Sequence, residues 1–224
     1  MPVNLSAKKQ GFWLLLPTLI WLVLFLCRPL WYHAWCVDAP SPCVQTAVSS
    51  FDQIVFKYHS ITADFLSNIL QNGVGIAALL AAWLILKNKT EFAPVALYLT
   101  RTTLWNGALL EGIRAVVQRP RPLVFQNPLG DGAQINQYTS FYSGHTSFVA
   151  MASLASFLWL YQYLPKSKKP FLALALFLLL TTLTGVLRVI GGRHFPTDVL
   201  AGALAGTLVA LASFACSKDS LPRR

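Results

Sequence analysis

Long apolar runs alternate with short polar segments along most of the chain. Each run approaches the ~20 consecutive residues that a helix needs to cross the hydrocarbon core of a bilayer. The six runs cover residues 11–31, 65–86, 92–117, 145–164, 171–190 and 197–216. Because little sequence is left for a soluble domain, we predict an all-α fold in which residues 1–224 form a single domain, a bundle of six transmembrane helices.

Composition and the end of the first run support this interpretation. Hydrophobic residues make up 55% of the 224 residues and charged residues 12%, and the mean hydropathy is +0.53. A cleaved signal peptide is the alternative for the first run. However, the run is long and is followed by aromatic residues up to Trp35, a pattern typical of a membrane–water interface. We therefore predict a retained transmembrane helix.

The distribution of basic residues predicts the orientation. Many of them fall in the amino-terminal tail, in alternate loops and in the carboxy-terminal tail. These residues are Lys8, Lys9, Lys87, Lys89, Lys166, Lys168, Lys169, Lys218, Arg223 and Arg224. By the positive-inside rule both termini are cytoplasmic. Membrane topology therefore explains much of the formal net charge of +10, and we expect no nucleic-acid partner.

A second set of basic residues lies towards the opposite, outer face. It comprises Arg28, Lys57, Arg114, Arg119, Arg121, Arg188 and Arg193. Insertion does not explain this set, so we expect function to explain part of it. Lys57, Arg119 and Arg193 could contact a second phosphate, but solvated interfacial charges are the simpler interpretation. Arg101, inside the third run, is interpreted as structural.

The first outer loop carries two further features. Cys36 and Cys43 lie outside the cytoplasm in the predicted topology, where disulfides form, so we predict a bond between them; free thiols are the alternative. Apolar residues recur every three or four positions over residues 48–65. This spacing predicts a short interfacial amphipathic helix before the second transmembrane helix.

Glu111 and Arg114 lie within the third apolar run. Ionisable groups at membrane depth normally mark a functional site or a buried pair. Because three positions separate these two residues, they share one helix face. We predict that Glu111 pairs with Arg114 and aims its guanidinium.

The stretch 188–198 is a polar segment between the last two apolar runs. Pro196 followed by Asp198 predicts a helix start, with Asp198 in the first turn. From there the carboxylate can orient His194 and stabilise its positive form, which leaves the other ring nitrogen free to attack. Arg188 offers donors for an oxyanion. In the alternative, Asp198 complements the helix dipole and His194 is an interfacial loop residue.

Ser143, Gly144 and His145 open the fourth run. Ser143 can cap a helix, Gly144 lets amides of the first turn face an anion, and His145 would lie over the same point. An ordinary cap followed by a packed histidine is the alternative. The predicted topology gathers this segment, the end of the third run and the stretch 188–198 on the outer face. Together they offer imidazoles, guanidiniums and a carboxylate, which suit phosphoryl transfer without a metal.

These segments resemble the motifs of the type 2 phosphatidic-acid phosphatase superfamily, which shares its site with vanadium haloperoxidases. The first family motif, Lys followed by six residues and Arg-Pro, is matched by Arg114, Arg121 and Pro122. The second, Pro-Ser-Gly-His, is matched by residues 143–145. Arg114 stands where the family has Lys, which keeps the charge and changes its geometry.

The third family motif, Ser-Arg, five residues, His, three residues and Asp, is matched by Arg188, His194 and Asp198. Tyr142 replaces the Pro of the second motif and Leu187 the Ser of the third. The motifs together span residues 114–198, and the six-helix layout extends the resemblance to most of the chain.

The resemblance implies a mechanism. His194 would attack phosphorus to form a phosphohistidine while Asp198 orients the ring. His145, protonated, would donate a proton to the leaving oxygen and then activate water. No metal and no cofactor is implied. The residues expected to bind the phosphate are Arg114, Arg121, Arg188, Ser143 and Gly144.

The expected function is hydrolysis of a phosphoric ester or diphosphate on a membrane lipid at the outer face. Phosphatidic acid, phosphatidylglycerol phosphate, a polyprenyl pyrophosphate and lipid A are all compatible substrates. We predict a bacterial cytoplasmic (inner) membrane protein whose site faces the periplasm or the exterior. Two alternatives remain open: a lipid phosphotransferase of the same build, and a non-catalytic lipid or anion transporter.

Overall fold

The computed structural model describes residues 7–38, 43–86, 88–127, 134–164 and 169–223. These residues are mostly α-helical and contain no strand, so the all-α prediction is confirmed for them. The helices are α1 (Ala7–Leu26), α2 (Arg28–Trp31), α3 (Trp35–Asp38), α4 (Ile61–Ile85), α5 (Lys89–Val117), α6 (Gly144–Tyr163), α7 (Lys169–Ile190) and α8 (Pro196–Ser217). Short 3-10 helices cover Gln45–Ala47, Asp52–Lys57 and Ile135–Tyr138.

Helix α6 occupies the centre of the bundle. It packs against α4, α5, α7 and α8, most extensively against α8 and α7. Its close approach to α8 depends on two glycines, because a Cβ on Gly202 or Gly206 would collide with the carbonyl oxygens of Ser143 and Ser147 respectively. Small residues permit this kind of contact between membrane helices. The packing fixes the start of α6 beside the start of α8.

Three described helices are long and apolar enough to cross a bilayer, namely α4, residues Pro170–Ile190 of α7, and α8. A fourth span results if Phe12–Leu26 and Arg28–Asp38, which are bent by 53°, are counted together. Helix α5 contains several charged residues and α6 several hydroxyl and amide side chains, which lowers the mean hydropathy of both. The six-span count and the cytoplasmic location of the termini stay predictions.

The amphipathic helix predicted over residues 48–65 is wrong. A 3-10 helix covers Asp52–Lys57, Tyr58 is extended, and the hydroxyl of Ser60 caps α4 by accepting a hydrogen bond from the Ala63 amide at 3.2 Å. Asp52 prevents a helix lying on the membrane, because its side chain is buried and bound by Arg119.

Part of the same apolar pattern turns towards the protein. Val48 and Val55 are buried against Phe195, the residue that precedes α8. Phe51 and Ile54 of the same segment are exposed. The segment therefore packs against the α7–α8 turn. The regular spacing of its apolar residues reflects this packing.

Cys36 and Cys43 form a disulfide, with their Cα atoms 5.8 Å apart. Both are buried in a cluster with Tyr32, Val124 and Tyr138. Val124 follows α5 and Tyr138 precedes α6. The packing of this bond therefore holds the loop before α4 against the segment between α5 and α6.

Candidate active site

The predicted site residues meet at one end of the bundle. Here α5 and α7 end and α4, α6 and α8 begin, so short segments far apart in sequence lie side by side. The guanidiniums of Arg121, Arg188 and Arg114 all act electrostatically on His194. His145 in turn interacts with His194 and with the same arginines.

His194 lies in the tight turn between α7 and α8 and is fully buried. The turn depends on Gly192, whose φ of +67° favours glycine and whose missing Cβ leaves room for the Tyr58 carbonyl. The Nδ1 of His194 lies 2.9 Å from the carbonyl oxygen of Ser140. Because a carbonyl can only accept, Nδ1 carries the proton in the neutral ring and Nε2 carries the lone pair.

The Nε2 atom of His194 is buried and has no hydrogen-bond partner among the described residues. A neutral imidazole in this tautomer presents a free nucleophilic nitrogen. Burial, reinforced by the charges of Arg121 and Arg188, holds the pKa of His194 well below its usual range. At neutral pH the unliganded site therefore keeps the nucleophilic form.

Asp198 supports His194 less directly than the sequence predicts. Its Oδ2 lies 3.6 Å from Nδ1 of His194, beyond hydrogen-bond distance, and accepts from the hydroxyl of Ser140 at 2.6 Å and from the amide of Phe195 at 3.1 Å. The Ser140 carbonyl takes the place expected for the carboxylate. Asp198 thus fixes the backbone that holds the ring and supplies a nearby negative charge.

The predicted helix start at Pro196 is present, with Phe195 as the N-cap and Asp198 at the third helical position. The bond from the Phe195 amide to Asp198 closes this first turn. A local motif therefore determines where the carboxylate points.

Arg119 is the main functional residue that sequence analysis misinterpreted. It is not a solvated interfacial charge: its Nη1 donates to Asp198 at 2.6 Å and its Nη2 to Asp52 at 2.7 Å. The guanidinium also stacks 4.2 Å above the ring of Phe195. Thr197 bonds Asp52 through its amide and its hydroxyl. We call Asp52, Arg119, Ser140, Thr197 and Asp198 the support cluster.

Arg121 has a different environment. Its one described hydrogen bond goes from Nη2 to the hydroxyl of Thr139 at 3.2 Å, and its Nε is buried without a partner in the described residues. Burial and the charges of Arg114 and Arg188 lower the pKa of Arg121 to about 9. A buried cation crowded by other cations is a strong candidate to bind an anion.

Arg188 and Arg114 are each held on one side by a carboxylate. Arg188 donates from Nη1 to Asp64 at 2.5 Å and to Ser67 at 3.1 Å. Arg114 donates to Glu111 at 3.2 Å. In both residues the Nε atom is buried and lacks a described partner. Each carboxylate therefore orients its guanidinium and leaves some of the guanidinium N–H donors free to bind a ligand.

Glu111 and Asp64 each hold two arginines. Glu111 accepts from Arg28 at 2.7–2.9 Å as well as from Arg114. Asp64 also binds Arg193 at 2.8 Å, which corrects the interpretation of Arg193 as a solvated charge. Asp64 lies in the first turn of α4. The sequence signal for its pairing with arginines was its position as an acidic residue at the edge of an apolar run.

His145 is oriented by Asn68 of α4. The Nε2 of His145 lies 2.6 Å from Oδ1 of Asn68, so the ring donates and the amide oxygen accepts. Nothing in the local sequence around either residue indicates this pair, which joins α4 to α6. The contact fixes the ring plane of His145 beside the arginines.

Ser143 is the N-cap of α6, as predicted, but its side chain makes no capping hydrogen bond. The amide of Ser143 donates to the Asp198 carbonyl at 3.0 Å and its hydroxyl pairs with that of Thr146 at 3.1 Å, so this amide is not available to an anion. Gly144 begins α6, and the amides of a first helical turn lack intrahelical acceptors. A Cβ on Gly144 would lie 3.1 Å from Nη2 of Arg114, so glycine permits that guanidinium to approach.

Taken together, these contacts suit attack on a tetrahedral oxyanion. One unprotonated imidazole nitrogen and three incompletely bonded guanidiniums converge, and a second imidazole lies beside them. Within the described residues no group of three or more His, Cys, Asp or Glu side chains could hold a metal ion. The positive charge in the described site comes from arginine.

Comparison with known proteins gives one match. A family model described as the PAP2 superfamily matches residues 94–222, more than half of the chain and a range that includes every catalytic residue predicted above. Neither the curated proteins nor the solved structures contain a match to the chain.

Proposed function

Because this chain belongs to the PAP2 superfamily, whose members are generally phosphatases, we propose that it is a lipid phosphatase that works without a metal through a phosphohistidine on His194. The observation that carries this proposal is the buried Nε2 of His194, which has no partner among the described residues. Three arginines act electrostatically on His194, and their buried Nε atoms likewise lack a described partner. A phosphate monoester would accept hydrogen bonds from the guanidiniums and present its phosphorus atom to Nε2.

In the first step Nε2 of His194 attacks phosphorus while the bond to the leaving oxygen breaks. His145 donates a proton to that oxygen, and the alcohol or phosphate departs. Arg114, Arg121 and Arg188 hold the equatorial oxygens, where charge concentrates in the transition state. The support cluster stabilises the positive ring that forms on His194.

In the second step His145, now neutral, takes a proton from water. The resulting hydroxide attacks phosphorus, the P–N bond to His194 breaks, and inorganic phosphate leaves. The ring returns to its starting tautomer because the proton on Nδ1 stays on the ring throughout, hydrogen-bonded to the Ser140 carbonyl oxygen. The cycle consumes one water molecule and no other reactant.

A groove that begins about one helical turn from His145 supports a lipid substrate. It has a volume of about 340 Å³ and lies between α4, α5 and α6, with mostly apolar walls. Asn72 and Phe148 line it, one helical turn beyond Asn68 and His145. A hydrocarbon chain in this groove would place its phosphate at the histidines.

We further propose six spans, with both termini in the cytoplasm and the site at the outer face of a bacterial inner membrane. Support comes from the cluster of Lys and Arg residues in the tails and alternate loops. The bond between Cys36 and Cys43 also fits an oxidising compartment. Phosphatidic acid, phosphatidylglycerol phosphate, a polyprenyl pyrophosphate and lipid A remain the candidate substrates.

The test is phosphate release from these lipids by the purified protein in detergent, with and without a chelator. We expect release that the chelator does not reduce and that His194→Ala abolishes. His33→Ala is the matched control, since His33 is largely exposed and lies outside the site. Wild-type turnover by His194→Ala would reject the nucleophile, and an acceptor-dependent phosphorylated lipid would identify a phosphotransferase.

A further inference from the structure

Arg101 lies at the opposite end of the bundle from the histidines. Its side chain is 9% exposed, and Nη2 donates to the hydroxyl of Ser217 in the last turn of α8. Helix α8 starts beside His194 and runs 22 residues to Ser217, about 33 Å at 1.5 Å per residue. Because α8 is long and apolar enough to cross a bilayer, Arg101 and the histidines belong to opposite leaflets.

No described carboxylate neutralises Arg101. The chain has eight Asp and Glu residues, and all but Asp131, which lies outside the described residues, bind other groups. Asp38 pairs with His33, Asp52 and Asp198 with Arg119, Asp64 with Arg188, Glu91 with Tyr163, Glu111 with Arg28 and Asp219 with Arg223. In the described structure Arg101 is thus a buried cation with a hydroxyl as its hydrogen-bond partner.

Arg101 lines a groove of about 520 Å³ between α1, α5 and α8. Trp13, Trp105 and Leu109 contribute apolar walls from α1 and α5, and the two indole rings lie 5.9 Å apart. Ser213 and Cys216 line the side formed by α8. The groove therefore combines one cation and a hydroxyl with a long apolar surface.

We propose that this groove binds an anionic phospholipid of the leaflet opposite the histidine site, with the lipid phosphate on Arg101 and an acyl chain along Trp105 and Leu109. A buried guanidinium without a counter-ion is costly, and a phosphate diester supplies the missing charge through directed hydrogen bonds. Side chains of α5 tilt towards its amino terminus, so the Arg101 guanidinium reaches towards the level of the headgroups.

The charge of the headgroup selects the ligand. A phosphatidylcholine phosphate already carries its own cation, whereas phosphatidylglycerol presents a net negative charge to Arg101. The lipid is a bound partner and not a substrate, because this groove is remote from His194. Binding of this lipid is therefore independent of catalysis at His194.

The first test is native mass spectrometry of the detergent-purified full chain, titrated with dioleoyl phosphatidylglycerol or dioleoyl phosphatidylcholine. We expect the wild-type protein to prefer phosphatidylglycerol and Arg101→Gln to weaken that binding about tenfold, the value of one charge-assisted phosphate contact. Arg223→Gln is the control, because Arg223 is an exposed arginine near the same end that pairs with Asp219; it should bind as wild type. Equal phosphatidylglycerol binding by Arg101→Gln and wild type would overturn the proposal.

A second pair of variants keeps the charge of Arg101, and one of the two fills the groove. Ala212 lines the groove and Ala215 does not, although both are exposed positions of α8, so Ala212→Trp and Ala215→Trp add the same side chain to the same helix. We expect the first to lose phosphatidylglycerol binding and the second to retain it. Retained binding by Ala212→Trp, or equal losses in both variants, would reject the groove as the site.

Discussion

Two groups of charged residues meet at His194, and they differ in how completely their hydrogen bonds are satisfied. In the support cluster Arg119 binds two carboxylates and a hydroxyl, and both oxygens of Asp198 accept bonds. By contrast, Arg121 has one hydroxyl partner in the described structure and a buried Nε without any. Arginines of the same local sequence, two positions apart, thus serve different purposes.

This difference separates positioning from binding. A group that must hold another residue is stabilised by partners within the protein, whereas a group that must hold a substrate keeps donors that the protein leaves unsatisfied. The two arginines can therefore be distinguished by the kinetic constant that each one affects.

Removing the binding arginine should have the largest effect after loss of His194 itself. Arg121→Ala deletes donors aimed at the transferring phosphoryl group and should lower kcat/KM by about 10²–10³. Arg223→Ala is the matched control, because Arg223 is exposed and pairs with Asp219 on the surface. Steady-state phosphate release measures both, and a tenfold or smaller loss in Arg121→Ala would remove Arg121 from the phosphate site.

Removing the positioning arginine should act through its partners. Arg119→Gln leaves Asp52 and Asp198 buried without their counter-ion, so we expect kcat to fall about 10–10² while KM changes little. Asp52→Asn should cause part of the same loss, and the double variant should lose less than the product of the two, since all three residues form one network. Full additivity, or a loss confined to KM, would contradict the assignment.

The sequence predicts this site well wherever its geometry is local. His194 lies in the turn between α7 and α8, and Pro196 and Asp198 lie in the first helical turn of α8. Their spacing alone therefore places the carboxylate near the ring. The predicted Asp198–His194 hydrogen bond is nevertheless absent, and the Ser140 carbonyl takes its place. The local spacing could not indicate this partner, because Ser140 is 54 positions away from His194. A local pattern specifies where a side chain points, but it does not specify which distant residue becomes its hydrogen-bond partner.

Distant pairs are the part that sequence could not supply. Arg119 meets Asp52 across 67 positions and His145 meets Asn68 across 77, and neither pair has a characteristic spacing. The failed amphipathic helix has the same origin, since burial of Asp52 against Arg119 outweighs a helical apolar period. The long helices themselves follow from hydropathy and were predicted nearly to their ends, except the first, which ends at Leu26 where the sequence predicted one helix to residue 31.

The loss of activity at acidic pH tests whether the charge of Arg121 acts on His194. Burial and the charges of Arg121 and Arg188 lower the pKa of His194, so the nucleophile should stay neutral well below the ordinary histidine value of about 6.5. In Arg121→Gln one repelling charge is gone, and the pKa should rise. We expect the acidic limb of kcat/KM to shift towards higher pH in that variant, with the same substrate used for both proteins. An unchanged or lower limb would contradict the charge effect.

Loss of the Cys36–Cys43 disulfide should have the smallest effect on activity. Cys36 and Cys43 are seven positions apart, so the loop they close is short, and their loss should lower the free energy of unfolding by about 2 kcal/mol. Cys36→Ser should therefore lower Tm and leave kcat near the wild-type value. Cys27→Ser is the control, since Cys27 is a free thiol. A large loss of kcat at temperatures where Cys36→Ser remains folded would give the disulfide a direct part in the site.

The most direct measurement is to trap the phosphoenzyme. In His145→Ala with para-nitrophenyl phosphate, the leaving group needs little protonation, so the first step proceeds while activation of water for the second is slowed. Rapid quenching in base and mass spectrometry should locate one phosphoryl group on His194, and none in the His194→Ala, His145→Ala double variant. A phosphoryl group on any other residue, or turnover without a phosphoenzyme in a single-turnover time course, would contradict the account.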